Sequence, residues 1–188
     1  MPKTSAGLLM YRIENGRLFV FLVHPGGPFW EHKDKSVWGI PKGEQDDEKH
    51  ELIDVAKREF SEESGIEIKT DEFISLGHIK QKNNKTVHAW AFENNKDFEF
   101  RCSSYVHNAS SLSGISSDVP SESAADNENS RFADKSEEYI RFPEVDKGEF
   151  FDVDSAKEKI LPSQWELIER LIKKLNIHNK NDKQKTLF

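Results

Sequence analysis

Trp38 to Ile66 reads WGIPKGEQDDEKHELIDVAKREFSEESGI, and its second half decides how the rest of the chain is understood. Wound as a helix, it sets Glu59, Glu62 and Glu63 at i, i+3 and i+4, on one face. Ile53, Ala56 and Phe60 fall on the adjoining face, which is then the buried one. Carboxylates held this close repel one another unless positive charge lies among them. A hard divalent cation supplies it, and Mg²⁺ or Mn²⁺ suits a site built of carboxylates alone. A solvated face is the plainer alternative, since 32% of the residues are charged and a glutamate-rich helix side is most often surface. The flanks weigh against it. Gly43 follows a Pro-Lys pair, Gly65 closes the helix where a glycine is expected, and a solvated face requires neither.

With those flanks the segment resembles the signature of the Nudix hydrolases, G-x5-E-x7-R-E-U-x-E-E-x-G-U, where U is apolar. Gly43 opens it, and Arg58-Glu59-Phe60-Ser61-Glu62-Glu63-Ser64-Gly65-Ile66 matches its whole second half. The departure lies between. One extra residue separates Gly43 from Arg58, so the early glutamate position falls on Lys49 or His50, with Glu48 or Glu51 near enough to stand in.

The resemblance covers about residues 5–175 and implies an α/β/α sandwich with a mixed, twisted sheet. It also implies a hydrolase that cleaves phosphoanhydride bonds in nucleoside diphosphate derivatives with Mg²⁺, or Mn²⁺ in its place. Glu59 and Glu63 then hold metal, Glu62 serves as ligand or general base, and Arg58 orients a glutamate. Gly43 offers its carbonyl to metal and leaves room for phosphate. A further ligand is expected in the loop before the last strand, where Glu144 stands; an ordinary loop acid is the alternative. Lys42, Lys80 and Lys82 are candidate phosphate contacts, each against simple solvation. Phe142 borders the expected site and is the candidate for stacking on a purine.

SAGLLMY, FLVH and WGIPKG most resemble the branch that hydrolyses diadenosine polyphosphates, so cleavage of diadenosine tetraphosphate to ATP and AMP is the first expectation. The alternative is a catalytically idle Nudix-fold module that senses a nucleotide or binds a protein. The altered early glutamate and a serine-rich stretch keep it open.

Composition bounds the rest. The 188 residues make one domain, residues 1–175, followed by a polar tail at 176–188. Residues 102–139 include SSLSGISSDVPSESAADNENS, serine-rich, acidic and short of apolar anchors, which reads as a disordered insertion. A net charge of -7 argues against general nucleic-acid or membrane-surface binding. A single cysteine, Cys102, excludes an internal disulfide and a cysteine-based zinc site. No apolar run reads as a signal peptide or a membrane span, so the cytoplasm is the expected compartment. Gln184-Lys185-Thr186-Leu187-Phe188 resembles the short Q-x-x-L-F peptide that docks on bacterial sliding clamps, a pattern brief enough to arise by chance.

Along the chain, strands are expected at 5–12 and 17–24 around an Asn15-Gly16 turn, then at 36–40, 73–81, 86–93 and 148–153. Helices are expected at 49–64, at 155–160 with Asp154 as cap, and at 163–175. His24, His78 and His88 lie in strand segments and read as packing residues rather than ligands. Trp30 sits in a Gly/Pro-rich loop, as packing or as an exposed stacking face.

Overall fold

The structure, a computed structural model, describes residues 3–45, 49–106 and 142–177. The bulk of the serine-rich stretch and the Gln184–Phe188 pentapeptide lie outside these residues, as does Glu48.

Strands β1 (Lys3–Glu14) and β2 (Arg17–Pro25) form an antiparallel hairpin over the Asn15-Gly16 turn, where both residues have positive φ. β3 (Lys42–Glu44), α1 (Leu52–Ser64), β4 (Ile74–Gln81) and β5 (Lys85–Glu93) follow. The short strands β6 (Tyr105–Val106) and β7 (Phe142–Pro143) pair with each other. β8 (Val145–Asp152), α2 (Val153–Lys159) and α3 (Trp165–Lys174) complete the order. The main sheet runs β4-β5-β1-β2-β8, with β3 attached to β1. β1 and β5 are parallel and the other pairs antiparallel, so the sheet is mixed as expected.

Both sheet faces are covered, which explains why β1 and β2 are apolar almost without interruption. Side chains alternate across the strand. Ala6, Leu8, Met10, Phe21 and Val23 meet Val55, Ala56 and Phe60 of α1. Leu9, Tyr11, Leu18, Val20 and Leu22 meet Ala156 of α2 and Leu167, Ile168 and Leu171 of α3. The layers are therefore helix, sheet, helix.

Three local expectations are corrected. The stretch at 36–40 makes only isolated bridges, Val23 to Gly39 and Trp38 to Ile160, and the strand forms one step later at Lys42–Glu44. Helix α1 begins at Leu52 rather than at 49. The cap of α2 is Asp152, whose carboxylate accepts from the Asp154 and Ser155 amides; Asp154 lies inside the first turn. Gly65 ends α1 as expected, with φ of 73° and its N–H on the Ser61 carbonyl at 2.9 Å.

Candidate active site

The site lies where α1 crosses the junction of β1 and β3. Phe60, fully buried, anchors the helix through edge contacts to Phe21 at 6.3 Å and Phe92 at 5.2 Å. That anchoring turns Glu59 and Glu63 inward, at 8% and 5% exposure. Charged side chains are almost never this buried without compensation. Gly43 of β3 faces them. A Cβ built there would meet the Glu59 carboxyl carbon at 1.8 Å and its oxygens at 2.1 and 2.2 Å. The Lys42 amide donates to Glu63 Oε2 at 3.3 Å.

Glu62 goes the other way. It pairs with Arg58 (Nη1 to Oε2, 3.1 Å), and its side chain is 42% exposed. The same guanidinium reaches Glu59 Oε1 through Nη2 at 2.6 Å. Arg58 thus bridges two glutamates of its own helix.

Burial pushes the Glu59 carboxyl above its ordinary value; Arg58 opposes this, while the charges of Glu62 and Glu144 add to it. Glu63 is pushed up to about 8, chiefly by burial, with Lys42 opposing and Glu144 and Glu59 adding. Glu144 lines the same cavity as both acids.

A cavity of about 580 Å³ opens over these groups. Its lining includes Lys42, Gly43, Glu44, Glu59, Glu63, Lys85 and Glu144, together with Pro25 to Trp30, Phe142 and Leu161. Phe29 and Trp30 meet edge to face at 4.7 Å. The cavity thus combines charged and aromatic side chains, a combination suited to a ligand with phosphates and a flat ring.

Of the candidate site residues singled out in the sequence, Lys42, Gly43, Glu59, Glu63, Phe142 and Glu144 line this cavity and Arg58, Glu62, Lys80 and Lys82 do not. Lys80 is the penultimate residue of β4, the far edge strand, and Lys82 sits in the short helical turn after it. Lys85 lines the cavity instead, and joins Glu44 at 3.1 Å. Lys85 was reachable from the sequence only through the parallel pairing that sets it beside Lys3. Phe29 was likewise unmarked.

Among the described residues no three His, Cys, Asp or Glu side chains stand together as a ready cage for a metal ion. The donor set still fits a hard divalent cation. Two buried carboxylates share one helix face, Glu144 lines the same cavity, and the bare backbone at Gly43 leaves them room.

Comparison with solved structures returns a consistent set of folds. A C. elegans Ap4A hydrolase in a binary complex is 17% identical, with a TM-score of 0.54 over 93% of this chain and 98% of that one. The NUDIX domain of Shewanella oneidensis NrtR, complexed with ADP ribose, is 12% identical, with a TM-score of 0.56 over 93% and 89%. The chain has the Nudix fold. A Nudix hydrolase from M. smegmatis, RenU, is 13% identical, with a TM-score of 0.52 over 94% of this chain and 89% of that one. No family model matches the chain, and no curated protein matches it. The Nudix likeness thus rests on three-dimensional structure, and independently on the Gly43 and Arg58–Ile66 pattern. Among the described residues no helix is long and apolar enough to cross a membrane.

Proposed function

We propose that the protein is a Mg²⁺-dependent hydrolase of phosphoanhydride bonds in nucleoside diphosphate derivatives. The observation that carries this is the pair of buried carboxylates, Glu59 and Glu63, packed over a glycine in a cavity that lysines and aromatic side chains also line. A buried pair of acids without a cation is costly, and phosphoryl chemistry is the use to which such a pair is best suited.

Glu59 and Glu63 hold the metal from the helix, and Glu144 completes the set from the β7–β8 junction. When bound, Mg²⁺ neutralises diphosphate oxygens and lowers the pKa of the attacking water. Arg58 fixes the Glu59 carboxylate, so the acid does not reorganise during the reaction. Gly43 lets the diphosphate approach the backbone, and Lys42 and Lys85 present ammonium groups to it. Phe29, Trp30 and Phe142 offer faces for a base. A cavity carboxylate, Glu59 first, takes the proton of the water. Glu62 supports it through Arg58 from outside the cavity.

Diadenosine tetraphosphate, split to ATP and AMP, is the first substrate to test. The likeness to the C. elegans hydrolase supports that choice. The NrtR domain bound to ADP ribose supports a wider panel of nucleoside diphosphate derivatives. Turnover of such a panel with Mg²⁺ in ¹⁸O-labelled water names both the substrate and the phosphorus attacked. Turnover no higher than that of a Glu59→Gln, Glu63→Gln variant overturns the hydrolase reading in favour of an idle nucleotide-sensing module.

A further inference from the structure

His24 has no part in the chemistry above, yet it is 1% exposed and polar. It lies at the end of β2, just before the loop that carries Phe29 and Trp30. Its Nδ1 stands 2.6 Å from Asp146 Oδ1, and its Nε2 stands 2.6 Å from the Lys33 carbonyl. Each ring nitrogen thus has a hydrogen-bonding partner, one on each side of a flat ring. The ring also meets Trp38 edge to face at 5.2 Å.

The two partners stand beside two cavity-lining segments. Asp146 is two residues beyond Glu144, at the start of β8. Lys33 lies three residues beyond Trp30, in the loop that carries Phe29 and Trp30. That loop is held inside by the Trp30 amide on the Gly27 carbonyl (3.1 Å) and the Lys33 amide on the Trp30 carbonyl (2.8 Å). At its start the Gly26 amide donates to the Glu144 carbonyl at 2.8 Å. Just past its end, Asp34 accepts from the Trp38 indole at 3.1 Å and pairs with Lys159. The charged groups around the imidazole are thus Asp146 from β8, Asp34 from the loop and Lys159 from α2. The Lys33 ammonium lies away, over the Phe29 ring at 3.2 Å.

We propose that His24 is a positioning residue: it pins the Phe29–Trp30 loop to the strand end bearing Glu144, and so fixes those aromatic side chains relative to that carboxylate. The proposal rests on the nucleotide reading of the cavity. A loop that floats free must be ordered by the ligand, and that ordering lowers affinity. Of the three proposed metal ligands, Glu59 and Glu63 stand on α1, and Glu144 keeps its tie to the Gly26 amide in either variant, so metal alone feels the loop little.

The test uses the full chain in three forms: wild type, His24→Gln and Asp146→Ala. In His24→Gln the amide carries its polar atoms at one end only, so it serves one partner but not both. Asp146→Ala removes the partner of Nδ1 at a less buried position and guards against a His24 variant that fails to fold. Hydrogen exchange is followed on a peptide covering 25–35, and the affinities for α,β-methylene-ADP with Mg²⁺ and for Mn²⁺ alone are measured. In both variants, 25–35 exchanges faster and the analogue binds about tenfold more weakly, a loss of about 1.4 kcal/mol, while Mn²⁺ binding stays within about twofold. Unchanged exchange and analogue affinity in the variants overturn the positioning role and leave the nucleotide reading standing. Equal losses for the analogue and for Mn²⁺ also overturn it, because the effect is then general. A wild type that binds no analogue refutes the nucleotide reading itself, and the positioning role with it.

Discussion

The Glu59 carboxylate fills the space in which a side chain at position 43 would begin, with its carboxyl carbon 1.8 Å from where the Gly43 Cβ would stand. Helix and strand therefore approach so closely that one position must be glycine for the other to be an inward-facing acid. Gly43 does not have a positive φ, so the requirement is one of space and not of backbone strain.

Gly43→Ala consequently displaces Glu59 without breaking the fold. Overpacking of this kind costs about 1–3 kcal/mol, and a shift of about 1 Å at a reacting centre costs about a hundredfold in rate. A circular dichroism melt beside a turnover assay separates the two. Wild-type activity in Gly43→Ala would mean that Glu59 does not act from this position.

The buried Glu63 gives the metal-free protein a pH signature. Its folded value of about 8 lies above the ordinary 4.5, so between these limits the folded chain keeps a proton that the unfolded chain has released. Stability from this group is full below 4.5, falls as pH rises through the window, and is fully lost above about 8. Melting temperature without metal should decline from mildly acidic to mildly alkaline pH, and Glu63→Gln should flatten the decline. Mg²⁺, which takes the ionised acid, should flatten it too. A slope that persists in Glu63→Gln assigns the effect elsewhere.

The other two acids of the helix, Glu59 and Glu62, should behave differently from each other. Glu59→Gln removes a cavity carboxylate, and loss of such a group costs about a hundredfold or more in kcat. Glu62 faces Arg58 outside the cavity lining, so Glu62→Gln should cost about tenfold or less, acting through the hold of Arg58 on Glu59. Steady-state kinetics of the two variants decides. Equal losses would place Glu62 in the reacting shell.

Lys85, not Lys80 or Lys82, reaches the cavity. Loss of one charge-assisted contact is worth about 1.5–3 kcal/mol, so Lys85→Ala should raise KM about tenfold or more. Lys80→Ala and Lys82→Ala should leave KM where it is. An effect from Lys80 as large as that from Lys85 would contradict the assignment.

The parts of this site that were legible in the sequence are the local ones. Helical spacing placed Glu59 and Glu63 together, and Gly65 marked the helix end. The same spacing misled at Glu62. Residues three and four apart from Glu59 sit on either side of it, about 100° from each other, and the cavity takes only one side. Which side depends on where Phe60 docks, a tertiary fact. Lys85 enters through a pairing with Lys3 across most of the domain. The His24–Asp146 contact joins positions 122 residues apart. Neither leaves a periodic trace. The strand moved from 36–40 to Lys42–Glu44 because pairing with β1, not local propensity, decides which residues extend.

If Glu59 and Glu63 together hold a divalent cation, its binding depends on both. Electron paramagnetic resonance of Mn²⁺ titrated with the full chain measures it without any assumption about substrate. Saturable binding by the wild type, displaced by Mg²⁺ and lost in Glu59→Gln, Glu63→Gln, is the predicted result; binding that survives in the double variant, or is missing from the folded wild type, contradicts it.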